Sequence, residues 1–311
     1  MKNKKILITG GYGFLGKTLI NLMIGRGFQK ENLIIPSSKD FDLTKEASVK
    51  KLYKTFKPNI VIHLAAQVGG IDAISQNPGI YFYNNSLMGL YLTEYGRQAN
   101  LDQFIYVGSG CSYPKYCDIP FIESDLWQGF PEENVASYAI AKKSLIVLLQ
   151  SYKKQYNFNS CVLIPSNLYG PKDHFYKKGA HVVPSIITKV HNALKNKEKT
   201  IKCWGSGLAT RDFLYSEDAA EAIILSINKI YNPDPINIGS GQETSIKSLL
   251  EKIMFLFEYS GDILWDQTNP EGQPRRLMSI EKAASLLEWK PSTSIDEGLE
   301  KTVKWFINNY N

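Results

Sequence analysis

Cysteine is scarce and unpatterned in this chain. The 311 residues hold four, Cys111, Cys117, Cys161 and Cys203. They show neither the paired spacing of a metal site nor the density of a disulfide framework, so a small stapled scaffold is excluded and a reducing, cytoplasmic setting is expected. Long apolar runs are missing as well. No stretch approaches the roughly 20 residues of a membrane-spanning helix. The basic N-terminus runs only into Ile6-Leu7-Ile8 before glycines begin, too short for a signal-peptide core. Nor is there a block of one charge sign: 36 basic against 30 acidic residues leave a net charge of +6, spread along the chain apart from short clusters such as 195–199. That balance argues against a nucleic-acid footprint or a membrane partner and leaves a mild attraction for small anions. Internal repeats and low-complexity tracts are absent. With 43% hydrophobic and 21% charged residues, the composition is that of a soluble globular protein with one large or two modest domains.

What is present is an alternation of strands and helices. Lys5 to Thr9 reads as a buried strand. Gly10-Gly11-Tyr12-Gly13-Phe14-Leu15-Gly16 follows, and Phe14 to Arg26 has helical periodicity. A glycine-rich turn from a strand into a helix lets the backbone approach a pyrophosphate, which the helix N-terminus then stabilises. Gly10, Gly13, Phe14 and Gly16 are therefore candidate dinucleotide-binding residues, although their spacing is looser than the usual fingerprint.

The second strand, Asn32 to Ile35, ends in Pro36-Ser37-Ser38-Lys39. Folds that select NAD place an acidic residue here for the ribose 2′-hydroxyl. None occurs before Asp40 and Asp42. Hydroxyls and a lysine suit a 2′-phosphate, so NADPH is the expected cofactor, with NADH as the alternative, and Ser38, Lys39 and Asp42 are placed beside it.

Lys45 to Phe56 reads as a helix, and Asn59 to Ala66 as a buried strand and its exit, where Ala65 and Ala66 allow close approach of a cofactor. His63, inside that apolar run, reads as structural. Gly69-Gly70 predicts a loop. Pro78 to Asn100 predicts a long helix with Asn84 and Asn85 as polar breaks. Gln103 to Val107 is a strand, Ser112 to Pro131 a loop, Ala136 to Lys154 a helix and Asn159 to Ile164 a strand. This alternation implies an α/β fold with a doubly wound parallel (Rossmann) sheet. The regularity weakens after Pro165. The expected layout is a dinucleotide-binding domain over 1–165, with later segments such as 200–240 as candidates to return to it, and a smaller, mainly substrate-binding C-terminal region over 166–311.

In open α/β sheets ligands bind at the carboxyl ends of strands, which is where Gly108-Ser109-Gly110-Cys111 falls. Tyr138 and Lys142, four apart, share one helical face. A lysine ammonium beside a phenol favours the phenolate, making the tyrosine a usable proton donor and acceptor. A Tyr-x-x-x-Lys pair alone is common on surface helices; Ser109 and the glycine turn upstream are what raise it to chemistry.

Strand-end Ser109, then Tyr138 and Lys142 on a helix, behind a glycine-rich N-terminal turn, resembles the extended short-chain dehydrogenase/reductase superfamily. Gly108 to Lys115 is further similar to the Gly-Ser-Ser-Cys-Ile-Tyr-Pro-Lys stretch of the GDP-L-fucose synthase family, the GDP-4-keto-6-deoxy-mannose 3,5-epimerase-4-reductases. Val68-Gly69-Gly70-Ile71, Asn167-Leu168-Tyr169-Gly170-Pro171, His181-Val182-Val183-Pro184, Trp204-Gly205-Ser206-Gly207 and Pro274-Arg275-Arg276 resemble that family in the same order. The resemblance implies epimerisation at C3 and C5 of a GDP-linked 4-keto sugar, followed by NADPH-dependent reduction at C4. It implies that Tyr138 protonates the C4 oxyanion, that Lys142 holds the nicotinamide ribose and depresses the tyrosine pKa, and that Ser109 bonds the same oxygen. Cys111 and His181 match the family's base and acid, although alone the first reads as a small core residue and the second as a loop histidine. Pro165, Asn167, Leu168 and His181 match cofactor positions. Lys189, Arg211 and Arg276 match the family's diphosphate-binding positions and Trp204 a substrate-pocket position, with Lys189 standing where the family has arginine and Arg276 where it has lysine; Arg211 could instead pair with Asp212 or Glu217.

The chain departs from the family at Gly110 (usually serine), Val135, Ser137, Ile74, Tyr12, Pro36 and Ser38. Most of these lie near the sugar or the cofactor 2′ position, so a GDP-4-keto-heptose reductase, with or without epimerase activity, is the alternative. A 4,6-dehydratase would need an acidic residue beside the strand-end hydroxyl, where Gly110 and Cys111 stand. A non-catalytic nucleotide-sugar sensor is the rival of another class. The resemblance also implies a homodimer through the helices over 78–100 and 136–154.

Overall fold

The computed structural model describes residues 4–176, 179–268 and 273–310. The first half runs β1 (Ile6–Thr9), α1 (Phe14–Gly25), β2 (Leu33–Ile34), α2 (Glu46–Phe56), β3 (Ile60–His63), α3 (Ile71–Gln76), α4 (Pro78–Gln98), β4 (Gln103–Val107), α5 (Ala136–Tyr156) and β5 (Ser160–Pro165). The second half runs β6 (Asn167–Tyr169), α6 (Val182–Lys195), β7 (Thr200–Trp204), β8 (Thr210–Tyr215), α7 (Ser216–Ser226), β9 (Ile236–Ile238), β10 (Glu243–Ser245), α8 (Ile246–Leu256), β11 (Asp262–Asp266), α9 (Glu281–Leu287) and α10 (Ile295–Tyr310).

Six strands form a sheet in the order β2-β1-β3-β4-β5-β9, and every neighbouring pair is parallel. The chain steps outward from β1 to β2, then crosses back to β3 and continues the other way. This is the doubly wound arrangement, with its switch point between β1 and β3. Alternation along each strand accounts for the two covered faces. Ile6 and Ile8, Ile60 and Ile62, and Ile105 and Val107 face α1 and α7, packing on Leu19, Met23 and Ile223. Leu7, Val61, Phe104 and Tyr106 face the opposite way, onto Leu52 of α2, Leu92 of α4 and Leu145 of α5. Buried apolar surface contributes roughly 25 cal/mol per Å2, so the strands with no exposed residue anchor this core.

A separate cluster joins α6, β7, β8, α8 and α10 around Tyr169, Ile187, Phe213, Ile253 and Phe306. Two small sheets belong to this half: β10-β8-β6 and β11-β7. β9, by contrast, pairs with β5, while α7 and α9 contribute Ala219, Ile223, Ala283 and Leu287 to the large sheet's core.

Several local expectations give way. The second strand is only two residues long, because a 3-10 turn takes Lys30–Asn32. The segment after Gly69-Gly70 is not a loop but α3, with Gly70 as its N-cap and Ile74 buried. Asn84 and Asn85 do not break α4. Asn85 is buried and its amide brackets the loop before α3, accepting from Gln67 N at 2.9 Å and donating to Gln67 O at 3.0 Å, so the helix commits this polar residue to a neighbouring backbone. The loop over 112–131 contains a 3-10 turn at Glu123–Trp127.

Candidate active site

The glycine turn meets the exit of β3. Gly10 has φ +71° and its carbonyl accepts from Gly13 N at 2.9 Å, while Gly13 caps α1. A Cβ on Gly10 would lie 2.7 Å from Ala65 N, and one on Gly16 would lie 2.3 Å from Gly10 O. The turn, the helix and the strand exit are therefore packed backbone to backbone, and Phe14 opens α1 beside them. Ala65 N donates to Thr9 Oγ1 at 3.3 Å, and Thr9 Oγ1 lies 2.8 Å from His63 Nδ1. His63 is buried and stacked on Tyr106; burial, with the Lys142 charge adding to it, holds its pKa down at about 3, so the imidazole is neutral and structural. The half-buried helix terminus has no acidic residue in its first turn, and such a cradle fits a dinucleotide pyrophosphate.

At the end of β2, Ser37 anchors a turn: its carbonyl accepts from Asp40 N and Phe41 N, and its Oγ from Lys39 N at 3.1 Å. Ser38 and Lys39 are both exposed on that turn. Asp42 is occupied locally. It accepts from Thr44 Oγ1 at 2.7 Å and Thr44 N at 3.0 Å, and lies 3.5 Å from Lys45, contacts that hold its carboxyl below the usual range. The turn that follows β2 and Ile35-Pro36 thus offers hydroxyls and a lysine, where an acidic side chain would read a ribose.

Replacing Gly16 by alanine tests the cradle. Alanine in a helix interior gains about 1 kcal/mol of intrinsic propensity. The obstacle here is a backbone oxygen 2.3 Å from the added Cβ, which cannot swing away. Overpacking at such a site costs about 1–3 kcal/mol, so the clash outweighs the gain. A net loss of stability in chemical denaturation, with weakened NADP(H) affinity in a fluorescence titration, is expected; a stabilised variant with unchanged affinity would refute the packing argument.

At the end of β4, Ser109 caps a 3-10 turn over Gly110–Ser112, its Oγ accepting from Cys111 N at 3.2 Å. This turn is tied to α5 by Ser112 Oγ donating to Ala139 O at 3.4 Å. Lower down, Tyr106 Oη donates to Lys142 O at 3.0 Å and Lys142 Nζ to Val107 O at 2.7 Å. Strand and helix are thus fixed at the level where Tyr138 projects, with Ser109 near enough to its phenol to bear on its pKa.

The electrostatics differ from the sequence expectation that Lys142 depresses the tyrosine. Burial pushes the Tyr138 phenol well up, with neighbouring Cys111 adding to the rise and Ser109 opposing it. Lys142 is engaged elsewhere: its ammonium sits on the Val107 carbonyl and 4.5 Å over the Tyr106 ring, and its own pKa is drawn down by burial to about 7. Tyr138 is therefore held as a phenol, a proton donor.

Cys111 and Ala66 join Tyr138 in one small apolar cluster with Ile74, Tyr81, Val135 and Ala73. α3 supplies Ala73 and Ile74, so the helix the sequence did not announce forms a wall of the site. His181 is exposed and caps α6, its carbonyl accepting from Ser185 N at 3.0 Å. Its stretch is docked on the same wall, because Gly70 N donates to Gly179 O at 2.9 Å. Pro165 ends β5, Leu168 packs on the large core, and Asn167 Nδ2 donates to Asp212 O at 3.1 Å.

Lys189, Trp204 and Arg211 stand on α6, β7 and β8. Lys189 Nζ donates to Lys202 O at 2.8 Å, Trp204 is 62% exposed, and Arg211 Nη1 donates to Thr210 O at 2.7 Å. Asp212 does not pair with Arg211: it is buried, and its carboxylate accepts from Ser240 N and Oγ and from Met278 N. Arg276 reaches the turn between Ser109 and Cys111, Nη2 donating to Gly110 O at 2.5 Å. Sequence reasoning missed Gln67, Asn84 and Asn85, which brace the loop behind Ala66, with Asn84 Nδ2 bonded to Gln67 Oε1 at 2.6 Å. The signal available was two adjacent asparagines inside an otherwise helical apolar pattern.

Comparison with known proteins places this geometry in context. Residues 6–239 match the model of the NAD dependent epimerase/dehydratase family. The GDP-L-fucose synthase of Sinorhizobium fredii is 37% identical over 309 residues, covering 99% of this chain and 97% of the relative. Among solved structures, a GDP-6-OMe-4-keto-L-xylo-heptose reductase from C. jejuni superposes with a TM-score of 0.93 at 26% identity, covering 99% of each chain. A GDP-L-fucose synthetase from Naegleria fowleri bound to NADP gives 0.92 at 28% identity, covering 100% of this chain and 94% of the other.

Proposed function

The chain belongs to the NAD dependent epimerase/dehydratase family and, within it, to the GDP-L-fucose synthase family, and from that premise we propose that it catalyses NADP-dependent reduction of the C4 ketone of a GDP-linked 4-keto sugar, coupled to epimerisation at C3 and C5. The observation that carries this reading is the grouping of Ser109, Cys111 and Tyr138 at the carboxyl end of β4, on a chain that matches a GDP-L-fucose synthase over nearly its full length. Gly10, Gly13, Phe14, Gly16, Ala65 and Ala66 hold the dinucleotide, with Pro165, Asn167 and Leu168 at its nicotinamide end and Ser38 and Lys39 near the 2′-phosphate. When bound, NADPH supplies the hydride.

Tyr138, kept as a phenol by burial, donates its proton to the oxygen of the reduced carbonyl, and Ser109 bonds the same oxygen. Lys142 holds the nicotinamide ribose. Cys111 and His181 exchange protons at the carbons beside the ketone, whose C–H bonds the carbonyl acidifies. Lys189 and Arg211 carry positive charge for the diphosphate, Trp204 offers a flat face for the guanine, and Arg276 stands at the inner end of that line. Free thiols throughout and no helix long and apolar enough to cross a membrane among the described residues fit a cytoplasmic enzyme. Exposed Ile80, Phe82, Tyr83 and Leu90 on α4, with Val147 on α5, suit a homodimer through these helices.

A second reading, C4 reduction of a GDP-4-keto-heptose, is favoured by the C. jejuni reductase and by Gly110 where the family usually has serine. Incubation with GDP-4-keto hexoses and heptoses and NADPH in deuterated water, followed by NMR of the product, tests both. Deuterium at C3 and C5 is expected in the product. The Cys111→Ser variant is expected to lose incorporation by at least about 10²-fold. Reduction without incorporation by the unaltered protein would remove the epimerase step, and no reduction of any GDP-keto sugar would remove the reading.

A further inference from the structure

Arg276 lies on the strap 274–279, which is bonded along both sides. Thr210 N and Asp212 N of β8 donate to Pro274 O at 2.9 Å and Arg276 O at 3.0 Å. On the other side Phe121 N donates to Leu277 O at 2.8 Å and Ser279 N to Phe121 O at 2.9 Å. Met278 N is held in addition by the buried Asp212 carboxylate at 3.4 Å. From this fixed base two side chains press on the turn that carries Ser109 and Cys111. The buried Met278 side chain fills the space that a Cβ on Gly110 would need, its Cε standing 2.5 Å from that position. The half-buried Arg276 guanidinium donates through Nη2 to Gly110 O at 2.5 Å.

Gly110 is the residue between Ser109 and Cys111, and its carbonyl also accepts from Tyr113 N at 3.3 Å in closing the turn. A charged donor on that carbonyl makes a stronger and better-directed bond than a neutral one. It acts within one residue of both reacting side chains. We propose that Arg276 is a positioning residue: through Gly110 O and beside Met278 it sets the Ser109–Cys111 turn against Tyr138, and does not serve mainly as a diphosphate ligand. The proposal rests on the reductase reading above and assigns a new task within that site. It also ties the C-terminal half to the proposed site, since β8 is bonded to the strap and the strap, through Arg276, to the turn.

The two roles separate in kinetics. A diphosphate ligand contributes to ground-state binding, so its loss raises KM and weakens GDP itself. A misplaced turn lowers kcat. The experiment compares Arg276→Met and Arg276→Lys in the full-length protein, with kcat and KM for the GDP-keto sugar that the unaltered protein turns over, GDP affinity by calorimetry, and melting temperature. Arg276→Met is expected to lower kcat about 10- to 100-fold with KM and the GDP dissociation constant within about threefold. Arg276→Lys, which keeps one cationic donor for Gly110 O, is expected to recover most of kcat. A tenfold or greater loss of GDP affinity with kcat intact overturns the proposal, as does Arg276→Lys faring no better than Arg276→Met. Should Arg276→Met fail to fold, Arg276→Lys decides alone: kcat near the unaltered value supports the positioning role, and kcat lost with GDP binding intact excludes it. An unaltered protein that turns over no GDP-keto sugar removes the functional reading and this proposal with it. An active protein with normal Arg276→Met kinetics removes the positioning role only.

Discussion

Tyr138→Phe is expected to lower kcat for carbonyl reduction by about 10³-fold or more, because on the proposed reading it removes the proton donor to the reacting oxygen, and a positioned acid contributes typically 10²–10⁴-fold. NADP(H) affinity should change little, since the ring remains and the glycine cradle is untouched. Stability should move by no more than about 1 kcal/mol, the net value of a single hydroxyl's hydrogen bonding. The pH dependence follows from the direction of the shift. Burial raises the Tyr138 pKa, so the phenol stays protonated across neutral pH, and its competence as an acid is not lost until the solution is strongly alkaline. An alkaline limb near neutrality in the unaltered enzyme therefore belongs to another group. Loss of NADPH absorbance during single turnover is the measurement, and a variant retaining a tenth of the rate would show that protonation comes from elsewhere.

Much of this site could be read from the chain, because its parts are local. Gly10 to Gly16 form one turn between a strand and a helix. Tyr138 and Lys142 are four apart on one helix, and Ser109 follows a strand directly. Such features depend on period and spacing, which the sequence displays. What escaped depends on pairs distant in sequence. The wall made by α3 forms because Gly70 bonds Gly179, more than a hundred residues on, and two glycines before it argued for a loop. Asn85 reads as a break in α4 until the loop that it brackets is seen. Arg276 reads as a cation for phosphate, and only the run of the strap along β8 places it on Gly110 O. The Tyr–Lys pair was legible in position but not in electrostatics: whether a lysine lowers a neighbouring phenol depends on where its ammonium ends, and the Val107 carbonyl at the end of β4 takes it. Charge placement follows tertiary structure even where the motif is local.

Lys142→Met is expected to inactivate the enzyme and stabilise it at the same time. Lys142 is 4% exposed, and its ammonium has the Val107 carbonyl and the Tyr106 ring face as partners. No carboxylate among the described residues forms an ion pair with it. Burial draws its pKa down from the ordinary 10.5 to about 7, so the folded protein binds fewer protons than the unfolded chain between those values. Stability then rises with pH across that window, and the cost of the buried charge is fully present below pH ~7. Methionine matches the stem and removes the charge, while leaving the Val107 carbonyl without its donor, a loss of about 1–3 kcal/mol. The penalty on the buried ammonium is greater than that loss, because each pH unit by which a pKa is lowered corresponds to about 1.4 kcal/mol. The gain should therefore be on the order of 1–3 kcal/mol at pH ~6, a rise of several degrees in melting temperature, and should disappear or reverse near pH ~10, where the folded protein's lysine is neutral and most of the penalty is gone. Meanwhile kcat should fall about 10²-fold or more, because on the proposed reading Lys142 is the cation that holds the nicotinamide ribose. Thermal melts of both proteins at the two pH values, with initial rates at pH ~7, test the claim. A variant less stable than its parent at pH ~6 would mean that the Val107 bond outweighs the burial of charge, and that Lys142 is retained for the fold as much as for the reaction.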